Sequence, residues 1–390
     1  MQSIAQAWLI TELSPNPVWL GVVAAAQFTP VLLLGLFGGV IADVLPKRST
    51  LVGVQALLMA IAALQALLVA IGAISIPALV ALAVVLGCIN SVDMPVRQSF
   101  VSEMIPEDEV GRAVAMNSAM FNAARVAGPA VGGILIGVIG VAGCFGVNAL
   151  SFLAVLIALL SMRPDELRSA PRSRRPTSVA AVVASLGEGI RYVLRTPAVA
   201  LAVSTIGIVS GVAMNFNVVI PALARGTLGI GAPGLGALMA TAGAGSLAGA
   251  LSVATLGRPQ VRLVVLGAAM LGALSVVAGL VGGGGAPWAP LATGFALFWA
   301  GFGAIVMAAS ANATIQTSAP AHLRGRVMSV YTTVFAGTTP IGALATGGAV
   351  ALLGAPGTLV LAGILALLAA THAAVRWRRL LLESATTPAP

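Results

Sequence analysis

Charged residues are scarce in this sequence, and the shortage excludes a water-soluble protein. Lys, Arg, Asp and Glu make up 8% of the 390 residues, whereas hydrophobic residues make up 59%. A soluble domain usually contains about 25% charged residues, so this chain cannot cover its surface with groups that water solvates well. Most of its apolar runs are about 20 residues long, the length at which a helix crosses a bilayer. The sequence therefore predicts an all-α polytopic membrane protein.

Cysteine and histidine are almost absent, and this argues against disulfides, metal sites and covalent chemistry. The two cysteines, Cys88 and Cys144, fall in or at the edge of predicted spans, and the two histidines, His322 and His372, have no neighbouring ligand residues. So few thiols form neither a disulfide framework nor a metal site. The sequence also contains no nucleophile elbow and no phosphate-binding glycine loop. We expect neither an enzyme nor a bound metal or cofactor.

The positive net charge of +9 follows membrane topology. Of the 20 basic residues, 18 lie in every second connection between predicted spans, and the other two are Arg125, inside a span, and Arg225. Basic loops mark the cytoplasmic side of a membrane protein. We therefore expect a multi-pass protein of the cytoplasmic (inner) membrane, with the basic loops and the C-terminus in the cytoplasm. Nucleic acid is not expected as a partner.

The chain contains an internal repeat with an offset of 214 residues. Gly111-Arg112 matches Gly325-Arg326, Phe121 matches Phe335, and Gly128 matches Gly342. An Arg-, Pro- and Ser-rich stretch separates the two copies. The predicted organisation is a six-helix half over 1–162, a basic cytoplasmic linker over 163–197 with an amphipathic segment near its end, a second six-helix half over 198–376, and a disordered tail over 377–390. Repeats running in the same direction make the halves parallel.

The first span is unusually short, and the third is almost entirely apolar. The first, 1–13, reaches only about 20 Å at 1.5 Å per residue, so it is predicted to be truncated, with the true start of the protein upstream. Gln2 and Gln6 form a polar stripe on it that should face the bundle interior. The third span, 49–72, is nearly featureless and is expected to face lipid.

Two motifs resemble those of the major facilitator superfamily. The sequence G-x-x-x-D at 39–43, followed by KR at 47–48, resembles the cytoplasmic signature loop of that superfamily, although Val44 and Pro46 depart from the usual pattern. The sequence GPxxGG at 128–133 resembles a motif typical of its exporters. DMPVRQSF at 93–100, the spacing to ARVAGP, and the opening QSIAQAWLITEL are similar to the subfamily of the enterobactin exporter and macrolide-efflux-type permeases. The resemblance covers nearly the whole chain and implies two parallel six-helix halves.

The resemblance suggests a gate at the cytoplasmic end, and the few acidic residues within or at the ends of spans are candidates for proton coupling. Asp43, Asp93 and Arg97 are the candidates, with Asp93 as the first choice for the proton site and Asp43 as the second. Asp43 would act as a latch at the positive N-terminus of the eleventh span. The alternative is turn capping with a solvated ion pair, which is worth less than about 1 kcal/mol.

Arg125 is the most informative residue of the fifth span, 113–136, because a charge near the bilayer centre needs a wet cavity or a partner. It either contacts an anionic part of a substrate or tunes a carboxylate; alternatively, it holds the first half together through an internal ion pair or by binding backbone carbonyl groups. Other candidates for a substrate cavity are polar or aromatic residues of the spans, each of which could instead fill the core: Gln6, Asn90, Asn117, Phe121, Asn122, Asn215, Asn217, Trp299 and Phe335.

The small residues Gly128, Pro129, Gly132 and Gly133 are expected to form a packing surface and a hinge. Small residues four apart allow two membrane helices to approach closely. Proline adds a bend in the same stretch. Close packing alone would also explain this motif, and the two interpretations are compatible.

The function expected from the residues and the resemblance together is secondary active export by alternating access. The substrate would be a hydrophobic or amphipathic small molecule, such as a drug or a siderophore, and the proton motive force would drive it outward. An importer of the same fold and a non-transporting membrane subunit or sensor are the alternatives. A lipid bilayer and a small-molecule substrate are the expected partners, and the chain is expected to be a monomer.

Overall fold

The computed structural model describes residues 1–105, 109–163, 179–255, 261–320 and 323–386, and the structure in these ranges is helical with short turns. The chain divides into two compact units. Unit 1 is Met1–Arg175 with Ile230–Ala237, and unit 2 is Pro176–Gly229 with Leu238–Pro390. Residues 176–197, which belong to the predicted linker, fall in the second unit, and residues 230–237, which belong to the predicted second half, fall in the first.

The helices of the first 175 residues are α1 (Gln2–Leu13), α2 (Val18–Val44), α3 (Lys47–Ala70), α4 (Ile76–Met104) and α5 (Val110–Ser161). Those that follow are α6 (Val179–Arg195), α7 (Pro197–Ala213), α8 (Phe216–Ala222), α9 (Gly231–Thr255), α10 (Val261–Gly282), α11 (Ala289–Ser318) and α12 (Arg324–Thr386), with a π-helical turn at Leu223–Thr227 after α8. In unit 1, α2 packs on α4 and α3 packs on α5. In unit 2, α10 packs on α11 and α12, and α7 packs on α12.

Two of these helices reverse at a single glycine. Gly140 in α5 has φ 74° and ψ 177°, and Gly354 in α12 has φ 71° and ψ 168°. The Cys144 thiol lies 3.8 Å from the Gly132 carbonyl oxygen, although twelve residues of straight helix would separate them by about 18 Å. α5 therefore consists of two arms, 110–139 and 141–161. The two glycines are 214 residues apart, which is the offset of the sequence repeat.

Nine helical segments of the described chain are long and apolar enough to cross a membrane. Two of them, Ala123–Ser161 with 39 residues and Arg324–Leu382 with 59 residues, contain the glycine reversals and so hold two spans each. A bilayer core needs only about 20 helical residues. The nine segments thus account for eleven of the twelve predicted spans, and the twelve-residue α1 occupies the place of the remaining one.

The structure corrects the prediction for the C-terminal tail and confirms the amphipathic segment of the linker. Residues 377–386 continue α12 as helix, whereas the sequence analysis assigned 377–390 to a disordered tail. Trp377 packs against a buried cluster of Leu201, Val261 and Ala373, and this contact anchors the helix beyond its last span. The amphipathic segment predicted at the end of the linker is confirmed as α6.

Substitution of Gly140 by alanine is expected to destabilise the protein. Its backbone lies in a region that essentially only glycine occupies, and forcing another residue there costs about 1–3 kcal/mol. Gly146→Ala is the matched control, because Gly146 lies in the second arm of α5 with open space around it. Thermal unfolding of the purified protein should show a lower midpoint for Gly140→Ala and an unchanged or higher one for Gly146→Ala. Equal midpoints would contradict the proposed constraint.

Candidate functional site

A buried carboxylate lies between α3 and α4. Asp93 is only 8% exposed, and its carboxylate accepts hydrogen bonds from Arg97 Nε and Nη2 at distances of 2.9 to 3.1 Å. The Gln55 amide on α3 donates a further hydrogen bond to Asp93 Oδ1, at 2.8 Å. A buried charge is tolerated when it is paired and hydrogen-bonded, and Asp93 has both kinds of partner.

The helical repeat explains why Asp93 and Arg97 pair, but not the contact from Gln55. Asp93 and Arg97 are four residues apart on α4, so their side chains share one face and pair. Asp93 lies inside the candidate membrane segment Ile76–Val101, while the Arg97 side chain is 48% exposed. Protonation of Asp93 would remove the charge that holds Arg97, whereas the bond from Gln55 can persist. The structure holds this cluster in the paired state.

Further polar contacts hold the ends of the unit 1 helices together. Lys47 at the start of α3 forms an ion pair with Glu103 near the end of α4. Arg48 donates hydrogen bonds to the carbonyl oxygens of Leu159 and Leu160, at 2.7 and 2.8 Å, and so caps the second arm of α5. The side chain of Asp43, the other predicted gate residue, lies outside the described residues.

A second cluster of amides is buried between α1, α3 and the second arm of α5. Gln2 donates to Gln65 Oε1 at 3.0 Å and accepts from Asn148 Nδ2 at 3.0 Å. Gln6 is 3% exposed and Gln65 is fully buried, and the amide nitrogen of each has no hydrogen-bond partner among the described residues. The polar stripe predicted on α1 thus faces the interior of unit 1.

Sequence reasoning missed Gln55 and Gln65, which lie on a buried face of the third span, whereas Leu57, Leu64 and Leu67 lie on an exposed apolar face as expected of a lipid-facing helix. Both amides of α3 are buried and bonded to the polar residues of neighbouring helices. The two glutamines in an otherwise apolar span were the available signal. A polar side chain in a membrane helix normally faces the bundle interior, where it finds a partner.

The small residues of the first arm of α5 pack closely against two other segments of unit 1. A Cβ atom on Gly132 would lie 2.5 Å from Ile4 Cγ2, and one on Gly128 would lie 3.5 Å from the Met1 nitrogen. A Cβ atom on Gly133 would lie 2.7 Å from Gly236 Cα, and one on Gly236 would lie 2.8 Å from the Pro129 carbonyl oxygen. The predicted packing surface is present, and the hinge remains a prediction.

Arg125 lies midway between Val110 and Gly140 on the first arm of α5, and its side chain is exposed within unit 1. No hydrogen bond or ion pair of Arg125 occurs among the described residues, and this disfavours an internal ion pair with the described part of unit 1. Asn117 is also exposed on the same arm. The side chains of Phe121 and Asn122 lie outside the described residues.

A cavity of about 460 Å³ opens beside the reversal of α5. Its polar wall is formed by Glu12 and Trp8, whose indole Nε1 donates to the Glu12 carboxylate at 2.7 Å. Most of the remaining wall is apolar and comes from Val69, from the stretch around Gly140, and from Ala232 and Pro233. Its volume is in the range of small-molecule pockets. No sequence motif predicted a site here.

The other predicted cavity residues occupy varied environments. Asn90 on α4 is half-buried. Asn215 donates to the Gly211 carbonyl oxygen at 2.8 Å, and the neighbouring Asn217 is exposed. Trp299 contacts three phenylalanine rings of its own helix, and Phe335 stacks on Tyr331 with ring centroids 6.2 Å apart. Neither aromatic residue belongs to the polar clusters described above.

The family profile described as transmembrane secretion effector, MFS_3, matches residues 1–388. The chain belongs to this family. The predicted resemblance to major facilitator transporters is thereby confirmed, and the protein is a multi-pass membrane transporter by family and not an enzyme.

Individual relatives agree with this assignment. The chain is 26% identical over 353 residues to the multidrug efflux pump Tap of Mycolicibacterium fortuitum, covering 88% of this chain and 83% of the pump. It is 29% identical to the staphyloferrin A transporter of Staphylococcus aureus over 154 residues, 39% of each protein. Its fold is similar to that of a variant of the nucleoside transporter NupG, with a TM-score of 0.76 at 9% identity over 96% of this chain and 94% of that one. The major facilitator fold is confirmed.

Proposed function

We propose that this family member exports a hydrophobic or amphipathic small molecule, drug-like or siderophore-like, across the cytoplasmic membrane in exchange for protons. The proposal of proton coupling rests on the Asp93 carboxylate. This group is buried in a membrane-spanning helix and bound by both Arg97 and Gln55. A titratable group inside a membrane segment is expensive and is usually functional. The efflux pump and the siderophore transporter among its relatives support the substrate class.

The proposed mechanism is alternating access in which Asp93 exchanges its proton. In the deprotonated state Arg97 and Gln55 both hold the carboxylate, and α3 and α4 are linked through it. A proton on Asp93 cancels the charge attraction to Arg97 and frees that side chain, which is already half exposed. A proton can thereby bias one conformation over the other, which is the requirement for coupling proton flow to transport.

The test measures proton movement on ligand binding by the purified full-length protein in detergent. A panel of lipophilic drugs and siderophores is titrated into weakly buffered protein while a pH-sensitive dye reports proton release. We expect at least one compound to release protons as it binds, and proteoliposomes with an imposed pH gradient should then move that compound against the direction of proton flow. Binding without proton exchange would contradict the coupling. Failure of every compound to bind would favour a non-transporting membrane subunit.

Arg125 is proposed to contact an anionic or strongly accepting part of the substrate. Since Arg125 is exposed and has no partner among the described residues, Arg125→Gln should change stability by less than about 0.5 kcal/mol. The same substitution should weaken binding of anionic compounds roughly tenfold, the loss of a charge-assisted hydrogen bond, and leave neutral ones unaffected. Equilibrium binding and thermal unfolding check this, with Arg125→Lys as the charge-preserving control. A large loss of stability would instead indicate a structural ion pair.

A further inference from the structure

The helix that precedes the first span of unit 2, α6, has three distinct faces over residues 187–195. One face is buried: Val193 is 6% exposed, and a Cβ atom on Gly189 would lie 2.6 Å from the Arg326 carbonyl oxygen of α12. The second face is apolar but exposed, with Ile190 at 48% and Leu194 at 75%. The third carries Arg191 and Arg195, also exposed. Among the described residues of unit 2, the first face alone is buried against other helices.

The buried face fixes α6 firmly on unit 2. Glu188 forms an ion pair with Arg326 at the start of α12, and the Tyr192 hydroxyl donates to the Ser318 carbonyl oxygen at 2.6 Å. The Glu188 carboxylate is paired with Arg326, so it does not offset the positive charges of Arg191 and Arg195. No hydrogen bond or ion pair of Arg191 or Arg195 occurs among the described residues of unit 2. Two exposed positive charges therefore lie beside two exposed large hydrophobic side chains.

The position of α6 along the chain brings these faces to the membrane boundary. α6 ends at Arg195, and the candidate membrane segment Pro197–Thr227 begins two residues later. A helix with leucine or isoleucine on one side and arginine on the other, attached at the boundary of a bilayer, has the pattern of an interfacial helix. Its apolar side enters the acyl boundary while its cations remain among the headgroups.

We propose that this face of α6 is a binding site for anionic phospholipids, with Ile190 and Leu194 in the acyl region and Arg191 and Arg195 on the phosphates of the headgroups. The charge complementarity selects anionic over zwitterionic lipid. Each arginine near the membrane surface strengthens the binding of anionic lipid about fivefold. The site is independent of the proposed transport cycle. The ion pair between Glu188 and Arg326 attaches α6 to the first turn of α12.

The experiment measures lipid contact at residue 194 in the full-length protein. A bimane fluorophore is attached to Leu194→Cys in a background in which Cys88 and Cys144 are replaced by alanine, and the protein is reconstituted in phosphatidylcholine vesicles. Spin-labelled phosphatidylglycerol or spin-labelled phosphatidylcholine is then added at the same low fraction. We expect quenching by both, with preference for phosphatidylglycerol of about fivefold or more. The Arg191→Gln/Arg195→Gln variant should lose the preference, and the double lysine variant should keep it.

The matched control carries the fluorophore at Leu352→Cys, another leucine of unit 2 that is 86% exposed but lies at the far end of its helix arm from Arg324 and Arg326. Both lipids should quench it equally. Equal quenching at residue 194 by the two lipids would overturn the proposed selectivity. Absence of quenching at residue 194, with normal quenching at residue 352, would show that water or protein covers this face and would overturn the site. Neither result depends on whether the protein moves protons or drugs.

Discussion

In the Asp93→Asn protein, ligand binding is expected to persist while ligand-linked proton exchange disappears. Asparagine has nearly the shape of aspartate and retains an acceptor oxygen for the Gln55 amide, which now lies 2.8 Å from Asp93 Oδ1. The asparagine amide does not take up or release a proton near neutral pH, and it carries no charge that could hold Arg97. The loss of proton exchange should therefore be complete. Dye-detected proton release during ligand titration measures it directly.

The control for this substitution is Glu103→Gln. Glu103 is also on α4 and is also paired with a cation, Lys47, so its replacement removes a comparable ion pair near the same end of unit 1. Proton exchange should survive in Glu103→Gln. Equal loss in both variants would mean that the ion pairs hold the helices together and that neither carboxylate is the proton site. Undiminished exchange in Asp93→Asn would place the proton site on another residue.

Gly245→Ala is expected to be among the most destabilising single-methyl substitutions in unit 2. A Cβ atom on Gly245 would overlap the Phe298 carbonyl oxygen, and one on Gly301 would overlap the Ala242 carbonyl oxygen. One turn further, a Cβ atom on Gly249 would lie 2.7 Å from the Phe302 carbonyl oxygen. α9 and α11 therefore touch backbone to backbone, and backbone cannot move aside as a side chain can.

The expected loss for Gly245→Ala is about 3 kcal/mol, at the upper end of the cost of overpacking. Unfolding of the detergent-purified protein on heating, compared with the unsubstituted chain, measures it. Gly348→Ala is the control, because Gly348 lies in α12 with open space around it. A methyl group there should leave stability unchanged or raise it slightly, since alanine favours helix over glycine. If both variants unfolded at the same temperature, the close approach of α9 and α11 would be refuted.

The fold was largely predictable because membrane spans are defined by length and hydropathy, which can be counted along a single sequence. The repeat offset also predicted a duplicated architecture, and the reversals at Gly140 and Gly354 follow it. The tail was predicted wrongly because its Thr, Ala and Pro content describes only its last residues. The packing of Trp377 that extends α12 depends on residues far away in the sequence.

The candidate site was predictable only where its contacts are local. The Asp93–Arg97 pair follows from a spacing of four residues on one helix. The contribution of Gln55 is different, because it depends on how α3 is rotated against α4, and two amides in an apolar span do not specify which partner each one meets. The same holds for Gln65, whose partner Gln2 is 63 residues away along the chain. The cavity beside Glu12 combines residues from four helices and has no sequence signature.

The reversal at Gly140 leaves no loop between the two arms of α5, since helix resumes directly on both sides of one residue. This has a consequence for mapping the orientation of the protein in cells. A protease site, glycosylation acceptor or epitope inserted at this corner would have to unwind helix before any reagent could reach it, so a negative result there would not report sidedness. Residues 71–75 and 283–288, which join separate helices on that same face of the predicted topology, are the positions at which such reporters can be read.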